Sequence, residues 1–201
     1  MSEELVIEQC SPTLAGLKTG SLFSYFFQER AELFESLRRF NYKLVPHGLR
    51  LIPVKITEDR ALIYMYRPDR LKIDFKDRIA SSILSERFYP TDKPEKCVIE
   101  LIKRLKDEED FPHEIGLFLG YPAYDVQSFI KLGAHGAKCV GTWKAYGNID
   151  AAKKKFALYK KCTRLYKEAY KKEKSFDKLI VEERSGMIST HKSNNRDEGV
   201  A

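Results

Sequence analysis

The sequence predicts an α+β fold: a single domain with a small mixed or antiparallel sheet of about four strands packed by helices. Three observations predict it. Two β-branched and aromatic runs in "LRLIPVKITEDRALIYMYRP" flank a polar "TEDR". Several other stretches repeat apolar residues at three- and four-residue steps. In the second half, strand-like and helix-like stretches alternate rather than segregate.

Residues 13–39 read mainly as helix. Phe23, Phe26 and Phe27 begin an apolar face that Leu33, Leu37 and Phe40 continue. Pro12 fits a first helical turn, where its missing N–H costs nothing. Gly16 and Gly20 mark either a close approach of another backbone or a break before the main helix. The hairpin spans about 50–56 and 61–66, and Pro53 places its first strand at an edge or a bulge. Helical spacing returns with Leu71, Phe75, Ile79 and Ile83. Pro90 and Pro94 bracket a loop. A further amphipathic helix then carries Cys97, Leu101 and Leu105 on one stripe.

"EIGLFLGYP", residues 114–122, reads as a strand, because two glycines weaken a short helix. "AYDVQSFIKLG" is a short helix stopped by Gly133. "AKCVGTWKAYG" reads as a strand. A long helix follows, capped by Asn148 or Asp150. Residues 1–182 form the expected domain, and 183–201 read as a disordered polar tail.

The chain has 201 residues and a net charge of +7. That charge is local. Lys153 to Lys178 hold eleven Lys or Arg against three Asp or Glu, a surplus of eight, so the rest of the chain is close to neutral. Such a helix packs its apolar side, read as Leu158, Cys162, Leu165 and Ala169 with Tyr159, Tyr166 and Tyr170, and displays a positive field. A nucleic-acid-associated role is one reading of it; a solvated lysine-rich face is the favoured one. The acidic N-terminus lacks the pattern of an export signal, and no apolar run suits a membrane span, so a cytoplasmic location is expected. Four cysteines, at 10, 97, 139 and 162, show no CxxC spacing and read as reduced thiols; no metal site is expected.

Four stretches together resemble one family: "CSPTLAGLKTGSLFS" (10–24), "HEIGLFLGYPAYDVQSFI" (113–130), "CVGTWKAYGN" (139–148) and "YKKCTRLY" (159–166). In that order they resemble the signature blocks of an uncharacterised bacterial domain of unknown function, found mostly in anaerobes. The resemblance covers roughly residues 8–172. Ala123 and Tyr124 stand where the family carries a proline and an acidic residue, and Thr19 stands where it tends to carry proline. The resemblance implies no established activity. The gene neighbourhoods of the family imply a setting in redox or iron physiology.

Three constellations suggest chemistry. Cys10 precedes "SPTLAG"; at a helix start its thiolate would be stabilised, with His113 as base, Asn148 or Asp150 as orienting group and Gln9 as an oxyanion donor. That layout is similar to papain-like thiol enzymes and would act on an acyl, amide or related electrophile. The alternative is a small buried cysteine and a histidine cap. Lys18 between Gly16 and Gly20 would bind phosphate or carboxylate, or is simply a solvated lysine in a small-residue turn, the favoured reading; "GLKTGS" is not a P-loop. Tyr121, Trp143 and Tyr146 would form a wall for a planar cofactor such as a flavin or tetrapyrrole, or simply belong to the core. An axial haem ligand would come from His47, His113 or His135.

Overall fold

The computed structural model describes residues 1–107 and 111–182, and the segment 183–201 read as a tail lies outside them. Its centre is a three-stranded antiparallel sheet in the order β1-β3-β2, formed by β1 (Gly20–Phe26), β2 (Arg50–Ile56) and β3 (Arg60–Tyr66). β3, "RALIYMY", sits in the middle, where its β-branched and aromatic residues are covered on both faces. Alternation sorts its side chains. Ala61, Ile63 and Met65 enter one core cluster, and Leu62, Tyr64 and Tyr66 the other. β2 is an edge strand, as β1 is, and its register slips between Pro53 and Lys55. A proline that cannot donate to the ladder is tolerated at that place.

One face of the sheet is covered by α1 (Glu3–Leu14) and α2 (Arg30–Leu44). The other face carries α3 (Pro68–Asp74), α4 (Arg78–Glu86), α5 (Pro94–Asp107), the single turn α6 (Ile115–Phe118) and α7 (Ala123–Leu132). A two-stranded ribbon, β4 (Cys139–Val140) with β5 (Lys144–Ala145), leads into α8 (Ile149–Glu173), which packs against α1. The fully buried Val6, Leu14, Leu33 and Leu44 on one side match Leu84, Leu101 and Phe118 on the other. Each such side chain stabilises the fold by about 1.5–3 kcal/mol.

Four sequence expectations change. The helix expected over 13–39 is α1, a strand and α2. Phe23 and Phe26 fit a helical face, but Gly20 to Phe26 pair along their whole length with Tyr66 to Arg60 of β3. That long-range pairing overrides the local period. Pro12 accordingly lies in the last turn of α1 rather than the first. "EIGLFLGYP" is a helical turn, not a strand. Ile115, Gly116, Leu117 and Phe118 are all buried, so the run has no exposed face to alternate with. "AKCVGTWKAYG" is a short ribbon turning at Gly141 to Trp143, not one strand. The helical run over 70–87 divides at Asp77, whose Oδ1 accepts from the amides of Ile79 (2.9 Å) and Ala80 (3.0 Å).

Two features set the geometry of the site. Arg67, wholly buried at the end of β3, donates to the carbonyls of Thr13 (2.8 Å), Leu14 (2.9 Å) and Val181 (2.7 Å). The cation satisfies the open carbonyls of α1 at the negative end of its dipole. It thereby fixes the 15–19 loop, where the amides of Leu17 and Lys18 fold back onto the Pro12 carbonyl. Glu114, also buried, receives the Tyr89 hydroxyl (2.9 Å) and lies 3.2 Å from Arg87 Nε. It anchors the turn that carries His113 and Ile115.

Candidate functional site

A cavity of about 390 Å³ opens between α6, α7 and β5. Phe111, Tyr121, Phe129 and Trp143 give it aromatic walls, and Ile115 and Val126 an aliphatic floor. Its size is at the lower end of the roughly 300–1,000 Å³ of small-molecule sites. Three polar side chains line it: His113, Asp125 and Lys144.

Asp125, in the first turn of α7, is buried and fully engaged. Its Oδ2 accepts from Trp143 Nε1 (2.7 Å), and its Oδ1 accepts from the amides of Tyr146 and Gly147 (2.9 Å each). The Tyr146 hydroxyl donates to the Gly133 carbonyl. Together these bonds tie the ribbon to both ends of α7 and fix the indole. The free polar groups on the wall are therefore cationic or neutral donors. His113 is exposed, its ring packed edge-on against Phe129 at 4.9 Å. Lys144 Nζ stands 5.1 Å from the centre of the same Phe129 ring.

The structure brings Lys18, Tyr121 and Trp143 together. Tyr121 stacks on Trp143 at 5.2 Å and 28°, and Lys18 Nζ lies 5.3 Å from the Tyr121 ring centre. Burial lowers the Lys18 pKa from 10.5 to about 8 and pushes the Tyr121 phenol up to about 12. The three do not share one cavity. Tyr121 and Trp143 line the first, whereas Lys18 lines a second of about 360 Å³ between α1, β1 and α8. Tyr146 belongs to neither lining; it is a buried residue held by Asp125 and Gly133.

The thiol constellation is not brought together. Cys10 lies in the interior of α1, not before a helix start, because the helix begins at Glu3 with Ser2 as its cap. The side chain is fully buried among Val6, Ile7 and Leu14, it lines neither cavity, and burial pushes its thiol well up. His113 faces the cavity by α7 instead. Asn148 caps α8, accepting from the Ala151 amide (2.9 Å), and Asp150 is an exposed residue of its first turn. Gln9 lines the second cavity.

His47 pairs with Glu182 (3.3 Å), and His135 sits exposed in the loop after α7. Of the proposed axial histidines, His113 alone lines the aromatic cavity. Among the described residues, no group of three or more His, Cys, Asp or Glu is placed to hold a metal ion, and no helix is long and apolar enough to cross a membrane. All four cysteines are free. The inner face of α8 differs from its sequence reading. Leu158 and Leu165 are 45% exposed, while Ala152, Tyr159 and Cys162 are buried.

The family described as "Protein of unknown function (DUF3793)" matches residues 6–180. The chain belongs to that family. The DUF3793 match runs from α1 to the turn after α8, so the walls of both cavities lie within the family domain. No curated protein and no solved structure matches the chain.

Proposed function

We propose that this protein is a small-ligand-binding protein whose site is the aromatic cavity, and that it takes a flat apolar ligand bearing an anionic group. One observation carries the reading. Among the described residues Asp125 is the one carboxylate on the wall and both its oxygens are occupied, so the groups left to meet a ligand are aromatic faces, Lys144 and His113. An apolar ring system would fill the space between Phe129, Ile115 and Trp143, with its anionic substituent toward Lys144. Flavin mononucleotide, a flat ring system carrying a phosphate, is one ligand of this class. The burial of Cys10 inside α1 supports binding over thiol-dependent catalysis.

The test uses the single tryptophan, Trp143, as reporter. Anilinonaphthalene sulfonate and flavin mononucleotide are titrated separately into the full chain. Saturable quenching at micromolar concentration is expected for at least one, weakened by about tenfold or more in Lys144→Glu. Absence of saturable quenching by both, or equal affinity in Lys144→Glu, would overturn the reading.

A further inference from the structure

The second cavity has a different character. Its polar lining comes from four elements and the 15–19 loop: Gln9 of α1, Lys18 of the loop, Ser21 of β1, Thr142 of the ribbon turn, and Lys160 and Thr163 of α8. Among the described residues no carboxylate lines it. Lys18 is 9% exposed and its Nζ makes no hydrogen bond or ion pair among the described residues; its one polar contact is the Tyr121 ring. Burying an ammonium group without a counter-charge is costly, and proteins otherwise pair such groups. The Cys10 thiol, whose thiolate would offset that charge, is held neutral by its own burial.

We infer that this cavity is an oxyanion site for a phosphoryl group, with Lys18 as the buried counter-charge and Lys160 as the outer one. Donors placed around the space on several elements suit a tetrahedral oxyanion better than the planar fork of a carboxylate. Thr142 and Thr163 offer hydroxyls, and Gln9 offers an amide. Ser21 shares a hydrogen bond with Thr13 (2.8 Å), and its own proton turns to the anion when Thr13 is the donor. A volume of 360 Å³ is many times the share of one water molecule, about 30 Å³, so the organic part of a phosphate monoester also fits. Lys160 and Thr163 further border a shallow groove along α8 with Arg164, Lys167, Glu168 and Lys171, four cations against one carboxylate, which leaves an anion a positive approach.

The test is titration of the full chain with phenyl phosphate and inorganic phosphate by calorimetry, with sodium acetate as the comparison. Saturable phosphate binding is expected, weakened about tenfold or more in both Lys18→Met and Lys160→Glu. Lys144→Glu, in the other cavity, leaves phosphate affinity unchanged. Absence of saturation at millimolar phosphate, unaltered affinity in Lys18→Met, or acetate binding as tightly as phosphate would each overturn the inference. Should Lys18→Met not fold, Lys160→Glu and Thr163→Val carry the same expectation. The sulfonate titration of the aromatic cavity reads the other site separately, so the two readings fail independently.

Discussion

Trp143 Nε1 donates a 2.7 Å hydrogen bond to Asp125 Oδ2, a buried acceptor whose other oxygen holds two backbone amides. The pair sets the aromatic wall. Removing Asp125 leaves two buried donors and one half-buried donor without their acceptor, each buried one costing about 1–3 kcal/mol when unpaired. Asp125→Ala is therefore expected to destabilise by several kcal/mol, with Trp143 emission shifted toward the red in whatever remains folded. Asp125→Asn keeps one acceptor oxygen but turns an amide donor toward either the indole or the backbone pair, so it is expected to cost less than alanine and still more than about 1 kcal/mol. Denaturant melts of the two variants measure the order; wild-type stability in Asp125→Ala would contradict it.

Gly20 and Tyr64 make the second test. A Cβ at residue 20 would stand 2.6 Å from the Tyr64 ring and 2.7 Å from the Phe118 carbonyl. Tyr64 is pinned there, since its hydroxyl donates to that same carbonyl at 2.6 Å and its ring stacks on Tyr66 at 4.8 Å. Neither obstacle is the loose end of a flexible side chain. Gly20→Ala is expected to destabilise by about 1–3 kcal/mol through overpacking, read as a lowered denaturant midpoint. An unchanged midpoint would mean that β1 and α6 do not approach so closely.

The pH dependence of stability follows from Lys18. Its pKa is about 8 in the fold and 10.5 when unfolded, lowered by burial. Below pH 8 both states carry the proton, and the penalty for burying the charge is present in full. Between about 8 and 10.5 the unfolded chain binds the proton while the folded one has released it, so this residue's share of stability rises with pH. The groups packed around it are Cys10 of α1, Tyr121, and Tyr159 and Lys160 of α8. Cys10, Tyr121 and Tyr159 are all pushed upward, which favours their neutral forms over that window. Lys18→Met is expected to be more stable than wild type at pH 7 by roughly 1–3 kcal/mol, the gain shrinking as pH climbs toward 10.5. Urea melts at pH 7 and pH 10 compare the two. A gain that grows with pH would reverse the sign of the argument.

The parts of this fold legible in the sequence are those fixed by local chemistry. Pro53 marked an edge strand, Gly133 a helix end, Asn148 a helix cap, and Cys97, Leu101 and Leu105 a stripe that is buried throughout. The close approach suggested for Gly20 is real, and its partners are Tyr64 and Phe118. What escaped was decided at long range. β1 exists because β3 pairs with it, and α6 turns because Glu114 is held by Tyr89 and Arg87. Cys10 was misplaced for a different reason. Ser2 followed by Glu3 and Glu4 is a helix-start signal in the sequence, and it moves the helix nine residues upstream of Pro12. Lys18, Tyr121 and Trp143 were grouped from residue type and do meet, but Asp125, which orients the indole, announces itself only through contacts.

Cysteine reactivity separates binding from thiol chemistry. Cys10 is fully buried, and burial raises Cys97 and Cys162 to about 11. Cys139 is the most open of the four. Iodoacetamide at neutral pH is expected to modify Cys139 first and Cys10 only at the rate of unfolding, as read by peptide mass spectrometry over time. Cys10 labelled faster than Cys139 in the folded protein would restore a thiol-dependent reading.

The basic helix gives the last prediction. Lys153, Lys154, Lys160 and Lys161 are exposed on α8 and make no ion pair among the described residues, whereas Lys167 is paired with Glu8 (2.7 Å) and Arg164 with Glu168 (3.1 Å). With Lys178 on Glu173 (2.9 Å), three of the eleven cations are paired and eight stay unpaired among the described residues. Each neutralised phosphate contributes about 0.9 to the slope of log affinity against log salt on duplex DNA. If about four phosphates are engaged, affinity falls on the order of a hundredfold between 50 and 200 mM salt. Fluorescence anisotropy with a labelled duplex is expected to show that decline and no preference among sequences. Weak binding of that kind follows from a positive face alone. Selective binding that persists at 150 mM salt and is abolished by Lys160→Glu with Lys161→Glu would instead make α8 a nucleic-acid-recognition surface.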